Sequence, residues 1–241
     1  MAAKRAVRVR ARARPGPARA DAAGAKRTAG TPERRWRRRK DARPQEILDA
    51  ALAVFAERGF AAARMDDIAR RAGVAKGTIY LYFDSKEAVF KALLSESIGD
   101  RIAAIAELAR RHTGSTIALL SAALRNFGMF LSTTDRVVLP KIIIAEAGNF
   151  PELARFYRSE LIDRGLGLLR GIVERGIASG ELRKADPDHV ARLIVAPLLL
   201  SAIWRTTFAQ FDSKPFDYAA FVETHLGALL HGITAKEGAT P

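Results

Sequence analysis

The stretch that decides the fold reads Met65-Asp-Asp-Ile-Ala-Arg-Arg-Ala-Gly-Val-Ala-Lys-Gly-Thr-Ile-Tyr-Leu-Tyr-Phe83. Met65, Ile68, Ala69 and Ala72 recur at helical spacing, which gives a first short helix with one apolar face. Gly73 interrupts it, and a second short helix over about 75–83 buries Ile79 and Phe83. Two helices that cross steeply over a tight turn need a small residue where their backbones approach. They also need a turn residue that accepts positive φ, and an apolar anchor in the second helix. Ala69, Gly73 and Ile79 supply these in order, which is the spacing of a helix-turn-helix. The second helix looks outward with Lys76, Thr78, Tyr80 and Tyr82, and Gly77 lets backbone come close to a phosphate. A core helical hairpin would have no use for such a polar face, so the motif predicts DNA binding.

Outward from the motif, residues 43–58 read as a helix, with Ile47, Leu48, Ala51, Leu52 and Phe55 on one face. Pro44 suits its first turn, Gly59 suits a left-handed C-cap, and Phe60 can fold back on the helix end. Downstream, Asp84-Ser85-Lys86-Glu87 reads as a capping box with Asp84 as N-cap. The helix it opens continues through Val89, Phe90, Leu93 and Leu94 to about residue 110. Five further helices are expected, over about 116–131, 135–147, 151–179, 187–208 and 216–233. Asn149 and Pro151 open the third, Asp186 and Pro187 the fourth, and Gly180 ends the third. No stretch alternates, so no strands are expected and the fold class is all-α.

The run Met65 to Phe90, with its surroundings from about 44 to 95, closely resembles the DNA-binding signature of the TetR/AcrR family of regulators. The resemblance implies a cytoplasmic homodimer, usually a repressor. It would leave a palindromic double-stranded DNA operator when a small molecule enters a helical C-terminal domain. Family DNA contacts map onto Lys76, Gly77, Thr78, Tyr80, Tyr82 and Lys86, with Lys76 and Lys86 on phosphates and Thr78 and Tyr82 at base edges. Leu81 suits a thymine methyl. Two departures stand out. Ala63-Arg64-Met65 lacks the usual hydroxyl cap, and Arg64 can replace its phosphate contact by charge. Tyr82 stands where the family often has His, so base preference does not transfer.

The chain has 241 residues and a formal charge of +14. Residues 1–44 hold 16 Lys/Arg against 3 Asp/Glu, and the remainder 24 against 23, so the basicity belongs to the N-terminal end. That end is poor in large apolar residues and reads as disordered over 1–42. Its cluster Arg34, Arg35, Arg37, Arg38, Arg39 and Lys40 suits either a DNA-contacting arm or a solvated tail. The expected domains are this tail, a helix-turn-helix domain over 43–90, a helical ligand-binding and dimerisation domain over 91–234, and a flexible end over 235–241.

About half the residues are hydrophobic, so a core is available, and there is no cysteine, which excludes disulfides and thiolate metal sites. The apolar run Leu193 to Trp204 is too short to span a bilayer, so no membrane partner is expected. His112, His189, His225 and His231 are scattered, and no nucleophile elbow or phosphate loop is present. No enzyme activity, metal or cofactor is expected. The last two helices are apolar nearly all round, which suits a two-fold interface between subunits using Leu193, Leu200, Phe221, Leu226, Leu229 and Leu230. Candidate effector-pocket residues are Phe127, Met129, Phe130, Ile143, Phe156, Tyr157 and Trp204, with Pro140 and Pro197 able to kink helices around a space. Two rival readings are a DNA-coating protein driven by the basic arm and a small-molecule carrier with a vestigial motif. Activation rather than repression stays open.

Overall fold

A computed structural model describes the backbone of residues 32–235 and the side chains of residues 44–235. Residues 1–31 of the tail expected over 1–42, and residues 236–241 of the end expected over 235–241, lie outside the described residues.

The first helix, α1 (Pro32–Ala62), starts well before residue 43. Pro32 fits a first helical turn, and the Arg, Lys, Glu and Ala that follow are good helix formers. Near its other end Gly59 takes the positive φ expected of it, 73°, but with ψ 171°, so it kinks the chain as an extended glycine rather than as a left-handed helical cap, and Phe60 turns back into the core against Phe55 and Phe90. Then come α2 (Met65–Arg71), α3 (Lys76–Ile79) and α4 (Lys86–Leu94). The α4 N-cap is Ser85, one residue later than expected, and its Oγ accepts from the Ala88 N–H at 3.2 Å. Ser85 is the last extended residue, which leaves Asp84 outside the cap and Glu87 favouring the helix N-terminus by charge.

The α4 helix runs on into α5 (Asp100–Arg111) through a π turn over Ser95–Gly99. After α6 (Thr116–Thr133) and a short 3-10 turn (Asp135–Val137) come α7 (Val138–Glu146) and α8 (Pro151–Tyr157). Phe150, not Asn149, caps α8, and Asn149 instead donates to Glu146. A second π turn (Arg158–Ile162) leads into α9 (Asp163–Ala178), followed by α10 (Pro187–Thr207) and α11 (Tyr218–Ile233). Asp186 caps α10 as expected, accepting from the N–H groups of Asp188 and His189, and Gly180 turns the chain after α9 with φ 76°. Among the described residues the pairing outside helices is one antiparallel bridge, Leu182 to Thr234.

The buried side chains form two cores. One joins Phe55, Phe60, Ile68, Ile79 and Phe90 of the N-terminal helices to Leu139, Ile143, Leu153 and Leu161 of α7, α8 and the second π turn. The other joins Leu120, Leu124 and Phe130 of α6 to Val173, Ile194, Leu198, Val222 and Leu226 of α9, α10 and α11. The first core thus extends past residue 90: α7, α8 and the second π turn are packed against the helices of the helix-turn-helix. The two π turns sit where the long rods cross from one core to the other, and they pack on each other at Gly99 and Leu161.

A candidate nucleic-acid interface and a candidate effector cavity

The α2–α3 turn closes as a Schellman motif. Val74 N–H donates to Ala69 O at 3.0 Å, Gly73 N–H to Arg70 O at 3.2 Å, and Gly73 holds φ 66°. Ala69 and Ile79 are buried at the crossing, so the spacing that marked the motif is what builds it. The α-helical bonds of α3 cover only Lys76–Ile79. Beyond them Tyr82 and Phe83 both donate to Ile79 O, which continues the chain as tight turns to Phe83 rather than as regular helix.

Lys76, Gly77, Tyr80 and Leu81 are exposed, while Thr78 and Tyr82 are half-buried. Leu81 is 72% exposed, a conspicuous apolar side chain on an otherwise polar face. Lys76 Nζ lies 2.9 Å from Asp66, a partner on α2 that no local spacing marks, and this partner raises the ammonium above its ordinary value. Arg64, exposed, is the N-cap of α2 with no side-chain cap bond. Arg58 of α1 pairs with Asp67 of α2 and so stitches the two helices, while Arg70 reaches the same carboxylate from within α2.

Lys86 is turned inward. Its Nζ donates to the carbonyls of Phe60, Ala61 and Ala63 at 2.9, 2.9 and 3.3 Å and lies 4.7 Å from the Phe60 ring centroid. Three donors meet three carbonyls, so the charge caps the end of α1, and a phosphate contact there would displace one of them. From the other side Glu146 of α7 accepts the Ala61 N–H at 3.0 Å.

Between the two cores lies a cavity of about 500 Å³. Ile98, Ile102 and Ile105 form one wall, Phe127 and Phe130 another, and Tyr157, Leu161 and Ile194 close it. Both π turns contribute wall residues. Burial pushes the Tyr157 phenol up to about 12, so it stays neutral. Of the expected pocket residues, Phe127, Phe130 and Tyr157 line the cavity, as does Pro140. Ile143 is buried in the N-terminal core and Phe156 packs against that core beside Lys91. Met129 is 66% exposed, because it lies on the side of α6 away from Phe130. Trp204 lies apart, in a shallow hollow with Pro197 and Phe216, its Nε1 donating to Asp212 at 2.9 Å.

The expected interface residues also divide. Leu193 and Leu200 are exposed at 59% and 63% on α10. Phe221 and Leu230 are half-buried, whereas Leu226 and Leu229 belong to the second core. Part of the apolar surplus of α11 is thus consumed within the chain, against α6, while Phe221 and Leu230 stay half-buried and α10 carries an exposed apolar stripe. By length and composition α10 could cross a membrane, since the helix extends beyond the run Leu193 to Trp204; its inward residues Val190, Ile194, Leu198 and Ala202 are core.

Residues 47–93 match the bacterial regulatory proteins of the tetR family, and residues 110–212 match a tetracyclin repressor-like C-terminal domain. The fatty acid metabolism regulator protein of Bacillus subtilis (strain 168) is 30% identical over 199 residues, which is 82% of this chain and all of that protein. The chain belongs to the TetR family. A second TetR-like relative, the transcriptional activator FasR of Mycolicibacterium smegmatis, is 38% identical over 214 residues, covering 85% of this chain and 89% of its own. Among solved structures, FadR of Bacillus subtilis in complex with stearoyl-CoA superposes with a TM-score of 0.61 at 27% identity, covering 78% of this chain and 98% of that one. As in these TetR relatives, the chain is a transcriptional regulator with a DNA-binding helix-turn-helix and a ligand-binding C-terminal domain.

Proposed function

We propose that this regulator is a cytoplasmic homodimer that grips a palindromic operator and is released by a small, largely apolar effector. The observation that carries the reading is the apolar cavity between the two cores, because a ligand there touches the packing of the DNA-binding head and of the body together. Its volume suits a drug-sized or chain-like molecule, and a relative binds stearoyl-CoA. The exposed face of Lys76, Gly77, Tyr80 and Leu81 serves as the reading surface, with Thr78 and Tyr82 behind it and Arg64 flanking it. The α10 stripe of Leu193 and Leu200 pairs with its copy, which spaces two reading faces for two half-sites.

Fluorescence anisotropy with the gene's own promoter region tests this. Preference over random DNA should be clear and should weaken steeply with salt; no preference overturns it. Lys76→Ala with Tyr80→Ala should abolish operator binding while sedimentation still reports a dimer. Activation is the second reading, favoured by the name of the FasR relative; a promoter-fusion assay in the presence and absence of the protein gives the sign. Removing residues 1–40, with the cluster Arg34 to Lys40, separates a regulator, which keeps operator preference, from a DNA-coating protein, which loses nearly all binding.

A further inference from the structure

The cavity between the two cores is not closed. Most of its wall is buried or half-buried, but Ile144 of α7 is 53% exposed, and Arg192 and Ala196 of α10 are exposed as well. These three wall residues mark a mouth between α7 and α10. Arg192 is already engaged: it donates to the Asp188 carbonyl at 2.9 Å, with the Asp188 carboxylate 3.8 Å away. Ile144 and Ala196 leave the rest of the mouth apolar. An apolar ligand in such a site keeps part of its surface in water, which forgoes part of the gain from burial.

Ala196 belongs to a second feature too. It also lines the shallow hollow that holds Pro197, Trp204 and Phe216. Within α10 it stands three residues after Leu193 and four before Leu200, the two leucines of the exposed stripe, and that spacing puts all three on one helix face. A methyl between two exposed leucines is a hole between two knobs, a surface that fits its own copy across a two-fold axis. No charge opposes that approach. Leu193 to Trp204 holds no ionisable side chain, and Arg205 beyond it is turned to the carbonyls of Leu131 and Thr134. We propose that a second copy of the chain closes this cavity. Where two α10 helices meet, each covers the other's mouth at Ala196, so the effector site is complete only in the dimer, and effector binding and self-association strengthen each other. This rests on the cavity being the effector site and on the α10 stripe being the interface.

Titration of the full chain with N-phenyl-1-naphthylamine, a neutral apolar fluorophore, tests this. The quantity read is the part of its binding that Gly165→Leu removes, because a Cβ at Gly165 would come 3.5 Å from Ile102 and both residues are cavity wall. At protein concentrations above the dimer's dissociation constant the probe should bind about tenfold more tightly than below it, which corresponds to about 55 Å² of apolar surface withdrawn from water. Linkage then requires saturating probe to tighten self-association by the square of that ratio, one factor for each cavity. Leu200→Asp, outside the cavity wall, should keep the chain monomeric where the unaltered chain pairs, and its probe affinity should equal that of the dilute unaltered chain. Equal probe affinity in monomer and dimer overturns the shared mouth and leaves the cavity and the interface standing as separate features. A Leu200→Asp chain that pairs as tightly as the unaltered one removes the α10 stripe as interface. Probe binding that is absent, or that Gly165→Leu leaves untouched, removes the cavity as a site for apolar ligands. The proposal fails with either.

Discussion

At Lys86 the type of residue was legible and its role was not. A lysine at the start of α4 is well placed for a phosphate, yet its ammonium sits against three carbonyls at the end of α1 and over the Phe60 ring. A cation there also meets the negative end of the helix dipole. Lys86→Met should therefore lower stability by about 1–2 kcal/mol, because carbonyls lose their donor; the urea midpoint measures it. A lysine that acted only on phosphate would leave the midpoint unchanged. Lys76 differs in having an exposed, exchangeable partner in Asp66. Its exposure is what allows it to leave one anion for another.

At the scale of elements, Glu181 is the staple between α9 and α6. Its carboxylate accepts from the Ser115 and Ser179 hydroxyls and from the N–H groups of Thr116 and Ile117. The Ser115 hydroxyl first, then the Thr116 N–H, holds it at about 2, below its ordinary 4.5. A depressed folded-state value means the carboxylate stabilises the fold above about 4.5, and that this contribution is lost as pH falls toward 2. Glu181→Gln should thus lower the melting temperature at neutral pH and flatten its fall across that acid window. Parallel pH series of thermal melts for the two chains test this; identical slopes would count against the staple. The neighbouring α6–α11 crossing depends on Gly128, where a Cβ would fall on the Val222 side chain. That close approach is how α11 comes to bury Leu226 and Leu229 within its own chain.

For the whole molecule the question is how a filled cavity reaches the DNA-binding head. Arg136 lies in the 3-10 turn directly after the cavity helix α6. It holds Asp49 of α1 and Glu96 and Ser97 of the first π turn, so one side chain ties three elements across the seam between the cores. Arg136→Met should keep operator preference while the ratio of operator affinities with and without a cavity-filling apolar ligand falls toward one; an unchanged ratio would remove Arg136 from the coupling. The second whole-molecule expectation concerns assembly. Leu200→Asp, which places a charge on the exposed α10 stripe, should weaken self-association by about tenfold or more in sedimentation equilibrium. A surface leucine outside the interface would leave association unaltered.

Much of this was written in local spacing. Ala69, Gly73 and Ile79 determined the crossing of α2 and α3, and the positive φ at Gly59, Gly73 and Gly180 falls where the chain offered glycine, because such constraints act over a few residues. The helices of the body were legible for the same reason. What the sequence left open was which apolar residue faces which neighbour. Phe130 and Met129 are adjacent, yet one lines the cavity and the other is solvent-exposed. Leu226 and Leu200 carry the same side chain, yet one is core and the other surface. Only tertiary packing makes these choices, since burial depends on partners far along the chain. The partnering of Arg136 with Asp49, Glu96 and Ser97 is decided there too.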